Sequence, residues 1–412
     1  MRLELNEAGR PAEEVFARMT DMRGGDVDWR SGKAAVYVFH SGDDVLQVAH
    51  EAYGMFISEN GLGPAAFPSL RRMEKEVIQM ALALQNAPES AAGSMSSGGS
   101  ESILLAMKAC RDYTLGRREI HGRPEVVVPY TAHPAFNKGA HLLGMKVVRV
   151  PTVDYVSDVE AMAAAVCENT VMLVGSAPCF PYGLVDPVAD LGRLAERRGL
   201  WLHVDACVGG YVAPFVREVG VEVPAFDFAL PGVSSMSADL HKYGYAAKGA
   251  STVLYRDRAM LQAQVFDFDD WPCGRMVTPT LAGTRPGGAI AAAWAVMNYL
   301  GRAGYVDRAR RISSTREKLT AGVRQLGMDT FGEPRLSIAA FGTAQFDVLA
   351  AGERLYAQGW FSSRVRDPDG IQYMISPEHD KTIDAYLAVL GRAVADVRAG
   401  KVAQSGGDIR YS

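Results

Sequence analysis

Two short segments carry residue types that could do chemistry together. In His203-Val204-Asp205-Ala206, an apolar run (Leu200-Trp201-Leu202) leads to an acid. In Ser237-Ala238-Asp239-Leu240-His241-Lys242-Tyr243-Gly244-Tyr245, a lysine follows a histidine in a turn rich in Gly, Ser and Tyr. A carboxylate at the C-terminal edge of a strand can keep a pyridine nitrogen protonated, and a lysine amine can form a Schiff base with an aldehyde. An enzyme needs that pair to hold pyridoxal 5'-phosphate. The residues therefore predict this cofactor, with Lys242 as its attachment point and Asp205 as the acid facing its ring.

Two further segments fit the same ligand. Gly93 to Ser102 begins as a Gly/Ser loop over 93–99 and runs into a helical pattern. Small residues let the backbone approach an anion, and the helix after the loop aims its unpaired N–H groups and positive dipole end at it. Ser97 and Ser100 add hydroxyl donors. Taken alone, such a loop is equally a turn with an N-cap. His133, in Tyr130-Thr131-Ala132-His133-Pro134, comes after an apolar strand where the next helix opens, the edge at which open α/β sheets bind ligands. Its imidazole could lie flat on an aromatic cofactor or merely cap the helix.

The elements that must position these residues alternate. Helices are expected over 43–58, from 68, and over 100–113, 134–143 and 187–198. Strands are expected over 125–129, 147–150, 171–175 and 200–204. Alternation of this kind implies a mostly parallel sheet covered by helices on both faces. Beyond Gly301 the composition shifts to an Arg/Ala-rich helix over 306–326, a strand over 336–341 and a terminal helix over 377–399. The expected organisation is an N-terminal arm and helical segment (1–67), a large domain (68–300) and a small C-terminal α+β domain (301–412).

Bulk properties narrow the function classes. At 412 residues and 48% hydrophobic content the chain can bury a large core and a second, smaller one. With 43 basic against 47 acidic residues, no broad field favours nucleic acid or an anionic membrane. No apolar run approaches the ~18 residues a transmembrane anchor requires, and the N-terminus lacks the order of a signal peptide. Five cysteines without a C-x-x-C pair predict reduced thiols and a cytoplasmic protein, and eight histidines without metal-ligand spacing predict no metal.

The order phosphate loop, His, Asp, Lys resembles that of fold-type I pyridoxal-phosphate enzymes in the group II decarboxylase superfamily. The nearest likeness is to the sphingosine-1-phosphate lyases. The segments that carry it are Ser97 to Ile103, Ala132 to Lys138, Gly144 to Pro151, His203 to Gly210, Ser237 to Gly249 and Pro279 to Gly288. The resemblance covers roughly Val36 to the C-terminus. It implies that Lys242 carries the cofactor, Asp205 faces its ring nitrogen and His133 stacks on the ring. Ser97, Gly98, Gly99 and His241 would hold the phosphate, and Gly283 and Thr284 would reach it from the neighbouring subunit of a homodimer with shared active sites. Lys248 would meet a substrate phosphate, Tyr37 would lie near the substrate, and Lys242, Lys248 and Tyr37 are the candidate proton carriers.

The likeness departs from the family pattern on the substrate side. In Asn60-Gly61-Leu62-Gly63-Pro64, Gly63 stands where the lyases carry a histidine. In Trp271-Pro272-Cys273-Gly274-Arg275-Met276, a tyrosine is lost and a guanidinium appears, so Arg275 is a candidate to read the substrate's anion in place of the missing imidazole. The implied reaction is retro-aldol cleavage of a phosphorylated 2-amino alcohol. The alternative is decarboxylation of an amino acid, which uses the same cofactor residues.

Overall fold

The structure is a computed structural model and describes residues 2–401; the remainder of the 301–412 segment lies outside the described residues. Continuous apolar runs such as Val126-Val127-Val128 and Val171-Met172-Leu173-Val174 are almost fully buried. A strand covered on both faces requires such a run, and these lie at the centre of a seven-stranded sheet. Its order is Ala92–Ser96, Ser251–Tyr255, Val233–Ala238, Trp201–Asp205, Thr170–Ser176, Glu125–Pro129, Lys146–Val150. Ser251–Tyr255 runs antiparallel to both neighbours, and the other described pairings are parallel. The mixed, mostly parallel α/β sheet expected from the alternation is therefore present.

The register decides where the loops converge. Ser176 pairs with Asp205, and Asp205 with Ser237, so adjacent strands end level with one another. The segments that leave these ends, 130–133, 177–180, 206–208 and 239–242, emerge at one edge. Ala92–Ser96 shares this direction, so residues 97–99 reach the same edge.

Three expected elements differ from the structure. Residues 93–96 are strand rather than loop. Gly93 lies so close to its partner that a Cβ would sit 2.8 Å from the Val253 carbonyl oxygen, so the low strand propensity of Gly and Ser is overridden by pairing and burial. The helix expected over 306–326 begins much earlier, at Gly287, and runs to Gln325 with a break at Gly301 (φ 51°). Its first part buries Ala289, Ile290 and Val296 and packs on helices Asp43–Met55 and Pro68–Leu84. The terminal helix is divided into a 3-10 turn, Pro377–Lys381, and a helix, Ile383–Arg398.

A second, four-stranded antiparallel sheet lies beyond the long helix, in the order Asp329–Thr330, Ile338–Gly342, Gly370–Met374, Ser363–Val365. The N-terminal segment clips onto it: Ala35 N donates to Phe361 O at 2.7 Å, and Met374 N donates to Ala35 O at 2.8 Å. Upstream, helix Ala12–Met22 buries none of its residues, although Val15, Phe16, Met19 and Met22 are apolar. No helix among the described residues is long and apolar enough to cross a membrane. All five cysteines are free thiols.

Candidate active site

The edge where the strands end level encloses a cavity of about 370 Å³. Eight of the residues singled out from the sequence line it: Ser97, Gly98, Gly99, Ser100, His133, Asp205, His241 and Lys242. They come from separate segments of the chain, and the sheet register brings them together.

On one side lies the Ser97–Gly99 turn. Ser97 donates to Glu101 Oε2 through both its N–H (2.7 Å) and its hydroxyl (2.5 Å). The other oxygen of Glu101 accepts from Leu281 N at 2.9 Å, tying this turn to the 279–286 loop. Helix Gly99–Leu115 starts without a side-chain cap, so its first N–H groups stay available to an anion. A Cβ on Gly99 would meet Asp239 Oδ2 and Cys207 Sγ at 2.8 Å, so only glycine fits this close approach.

Opposite this turn, Lys242 Nζ lies 3.0 Å from Asp239 Oδ2. Burial opposes the Lys242 charge, but the Asp239 carboxylate beside it more than compensates, and the ammonium is held above its ordinary range. Asp239 is in turn held below the usual carboxylate range: burial raises it, while Lys242 and His241 lower it by more. Its second oxygen, Oδ1, is buried with no hydrogen-bond partner among the described residues.

Asp205 Oδ1 accepts from Cys207 N at 3.1 Å and from the Ser237 hydroxyl at 3.4 Å, which fixes the carboxylate at the cavity wall. Burial pushes the neighbouring Cys207 thiol well up, so it is a neutral wall rather than a thiolate. His133 accepts from Ala135 N at Nδ1 (3.1 Å), and burial lowers its pKa. It is therefore a neutral imidazole with its proton on Nε2.

Lys248 and Tyr37 meet beside His241, outside the residues that line the cavity. Lys248 Nζ donates to His241 O (3.1 Å) and Tyr37 O (3.3 Å) and sits 4.8 Å from the centre of the Phe39 ring. The residue is exposed at its outer side, yet its amine is enclosed by these groups. Desolvation first, and the nearby Lys242 charge second, lower its pKa to about 8. Tyr37 has φ 64° and is spanned by a Val38 N to Val36 O bond, a strained γ-turn.

Five singled-out residues are absent from the lining of this cavity: Tyr37 and Lys248, which lie beside His241, and Arg275, Gly283 and Thr284. Arg275 lies on an exposed hairpin, Phe266–Phe268 with Met276–Thr278, where it pairs with Asp267. Gly283 and Thr284 lie in the 279–286 loop, with Leu62 and Met276 nearest to Gly283. Sequence reasoning assigned no role to Asp239, Glu101 or Phe180, which also line the cavity. Asp239 was legible, since an acid three residues before the lysine is within reach of it; Phe180 leaves no signal.

The ion pair predicts how the amine behaves. Its pKa is raised by Asp239, so the neutral form that attacks an aldehyde becomes scarcer as pH falls, by a factor of about ten per unit. Attachment of pyridoxal phosphate to the cofactor-free protein, followed by absorbance, should accelerate from pH 7 to 9. Asp239→Asn should shift that curve to lower pH. A rate independent of pH, or an unmoved curve in the variant, would contradict the role given to Asp239.

Comparison with known proteins gives a consistent setting. The model of the pyridoxal-dependent decarboxylase conserved domain matches residues 27–332. The chain is similar to the sphingosine-1-phosphate lyase of Arabidopsis thaliana, at 38% identity over 404 residues, covering 96% of this chain and 74% of the plant protein. A solved structure of sphingosine-1-phosphate lyase from Burkholderia pseudomallei K96243 matches with a TM-score of 0.93 and 36% identity, covering 97% of this chain and 94% of that one. A probable L-tyrosine/L-aspartate decarboxylase of Methanothermobacter thermautotrophicus is 34% identical over 352 residues, 85% of this chain and 94% of the relative.

Proposed function

Because this chain belongs to the pyridoxal-dependent decarboxylase family and has sphingosine-1-phosphate lyases among its relatives, we propose that it cleaves the Cα–Cβ bond of a phosphorylated 2-amino alcohol such as sphingosine 1-phosphate. The products are a fatty aldehyde and phosphoethanolamine. Its cofactor is pyridoxal 5'-phosphate, which when bound supplies a sink for the electron pair released at the substrate's Cα.

The cavity suits that group on its own features. A glycine cradle stands at an uncapped helix start, a half-buried lysine lines the same cavity, and Asp239 Oδ1 has no partner among the described residues. In this reading Lys242 holds the cofactor covalently. Asp205 keeps a proton on the ring nitrogen, and the neutral His133 ring lies against the cofactor. Ser97, Gly98, Gly99 and His241 take the phosphate. Gly283 and Thr284 reach it from a second copy of the chain. The exposed Leu62, Met276 and Leu281 around that loop are the apolar surface such a homodimer would cover. Arg275, on the same outward hairpin, would act on substrate only in that assembly. A cytoplasmic location accords with the free thiols.

The observation that carries the lyase reading is Lys248. Its amine, beside Tyr37 and the cavity residue His241, would meet a substrate phosphate, and a pKa of about 8 would let it move a proton at neutral pH. Cleavage needs two proton movements. A base removes the β-hydroxyl proton as the Cα–Cβ bond breaks to give the aldehyde, and an acid returns a proton to Cα. In this reading Lys242, Lys248 and Tyr37 share them. Decarboxylation of an amino acid is the alternative, supported by the archaeal relative.

The test is product analysis. Cofactor-loaded protein is incubated with sphingosine 1-phosphate and, separately, with a panel of amino acids, and products are identified by mass spectrometry. Aldehyde and phosphoethanolamine are expected. Carbon dioxide from an amino acid, with no aldehyde from the phosphorylated base, would replace this reading by the alternative.

A further inference from the structure

A second cavity, of about 320 Å³, lies beside the first and shares His133 and Phe180 with it as a wall. It is formed where the large sheet meets the small one, between residues 130–134, 180–182 and 363–372. None of the cofactor-directed residues other than His133 lines it.

Its rim is cationic. Arg149 stands on the edge strand Lys146–Val150, with its guanidinium 5.3 Å from the centre of the Tyr130 ring. Its hydrogen bonds go to the main-chain oxygens of Tyr130 and Ala132, and it pairs with no carboxylate among the described residues. Arg364 and Arg366 face it from the small domain. Glu353 lies 3.3 Å from Arg364, and Asp367 accepts from the Tyr130 hydroxyl at 3.2 Å. Arg149, whose bonds go to main-chain oxygens, therefore brings a positive charge to the mouth.

Its floor is polar and unsatisfied. Gln372 is fully buried and donates through Nε2 to the carbonyl oxygens of both Phe180 and Pro181. Those two acceptors fix the amide orientation, because a flipped amide would set oxygen against oxygen. Gln372 Oε1 is left as a buried acceptor with no partner among the described residues, and so is the hydroxyl of the buried Thr131. Both residues line the cavity, and two buried polar atoms without partners beside it are costly unless a ligand or water meets them.

We propose that this cavity is a second ligand site, distinct from the cofactor cleft, for a small oxyanion that also carries a hydrogen-bond donor. The phosphate or carboxylate sits among the arginines, and a hydroxyl or ammonium group reaches Gln372 Oε1 and Thr131 Oγ1. Phosphoethanolamine, the amine product of the proposed cleavage, has both groups; so would a separate amino- or hydroxy-bearing effector. The site itself does not depend on which bond the cleft breaks.

The experiment uses holoenzyme whose cofactor has been reduced onto the protein, so that no turnover occurs. Phosphoethanolamine is titrated calorimetrically against the parent, Arg149→Gln and Thr131→Val, with sulfate as an oxyanion lacking a donor. Circular dichroism checks that both variants are folded. A binding component that weakens by about tenfold in each variant, the effect of losing one charge-assisted hydrogen bond, and that sulfate fills less tightly, is the expected result. Binding unchanged by both substitutions, or sulfate binding as tightly as phosphoethanolamine, would overturn the proposal. Product analysis of the cleft can fail without affecting this result, and the reverse also holds.

Discussion

Lys242→Ala is expected to lower turnover by about 10^4-fold or more, the scale on which loss of a covalent catalytic group is felt. No other described amine can take its place: Lys248 is held outside the cavity lining by the His241 and Tyr37 carbonyl oxygens. The fold should persist, because Lys242 lies in the turn after strand Val233–Ala238 rather than within the sheet, but stability should fall. Removing the ammonium leaves Asp239, 1% exposed, with a buried charge whose remaining close partner is His241 at 3.7 Å, an imidazole that burial disfavours from carrying a proton. Breaking such a pair from one side costs about 3 kcal/mol or more. Denaturant midpoints should therefore show Lys242→Ala below the parent. Adding Asp239→Asn should recover part of the loss, since the orphaned charge goes with it. Turnover within tenfold of the parent in well-folded Lys242→Ala would contradict the assignment.

Asp205→Asn is expected to cost about 10^2- to 10^3-fold in kcat at saturating cofactor, comparable to removing one preorganised electrostatic partner. The substitution keeps shape and burial. The Asn oxygen would go on accepting from Cys207 N, as Asp205 Oδ1 does at 3.1 Å, and this turns the amide NH2 toward the cavity. A donor in that place favours an unprotonated ring nitrogen, the opposite of what a carboxylate does, and so weakens the electron sink. Cofactor retention should fall in parallel, measured as the dissociation constant for pyridoxal phosphate. A variant with unchanged kcat and unchanged cofactor affinity would remove Asp205 from the mechanism.

The sheet was legible because its central strands are uninterrupted apolar runs bounded by turns, as Glu125–Pro129 and Thr170–Ser176 illustrate. Asp205 and His133 were legible for a related reason, since each closes or comes just after such a run and so must sit at the binding edge. Ala92–Ser96 was not, because two serines, a glycine and an alanine have no strand preference of their own; only the partner strand Ser251–Tyr255 makes them one. The long helix from Gly287 hid its start because its first half is alanine-rich and buried, without the one-sided stripe of a surface helix. Around the cavity, Glu101 reads in the sequence as an ordinary first-turn acid, and only its bonds to Ser97 and Leu281 give it a role. Gly283, Thr284 and Arg275 lie outside the residues that line the cavity, and nothing in their sequence spacing shows that separation.

The bond between Lys242 and its cofactor is the central claim, and reduction tests that bond directly. Protein saturated with pyridoxal phosphate is treated with borohydride, digested, and mapped by mass spectrometry for the reduced pyridoxyl group. The adduct is expected on the peptide containing Lys242, and absent from Lys242→Ala. An adduct that maps to Lys248 or to any other lysine, or none in a fully loaded sample, would contradict it.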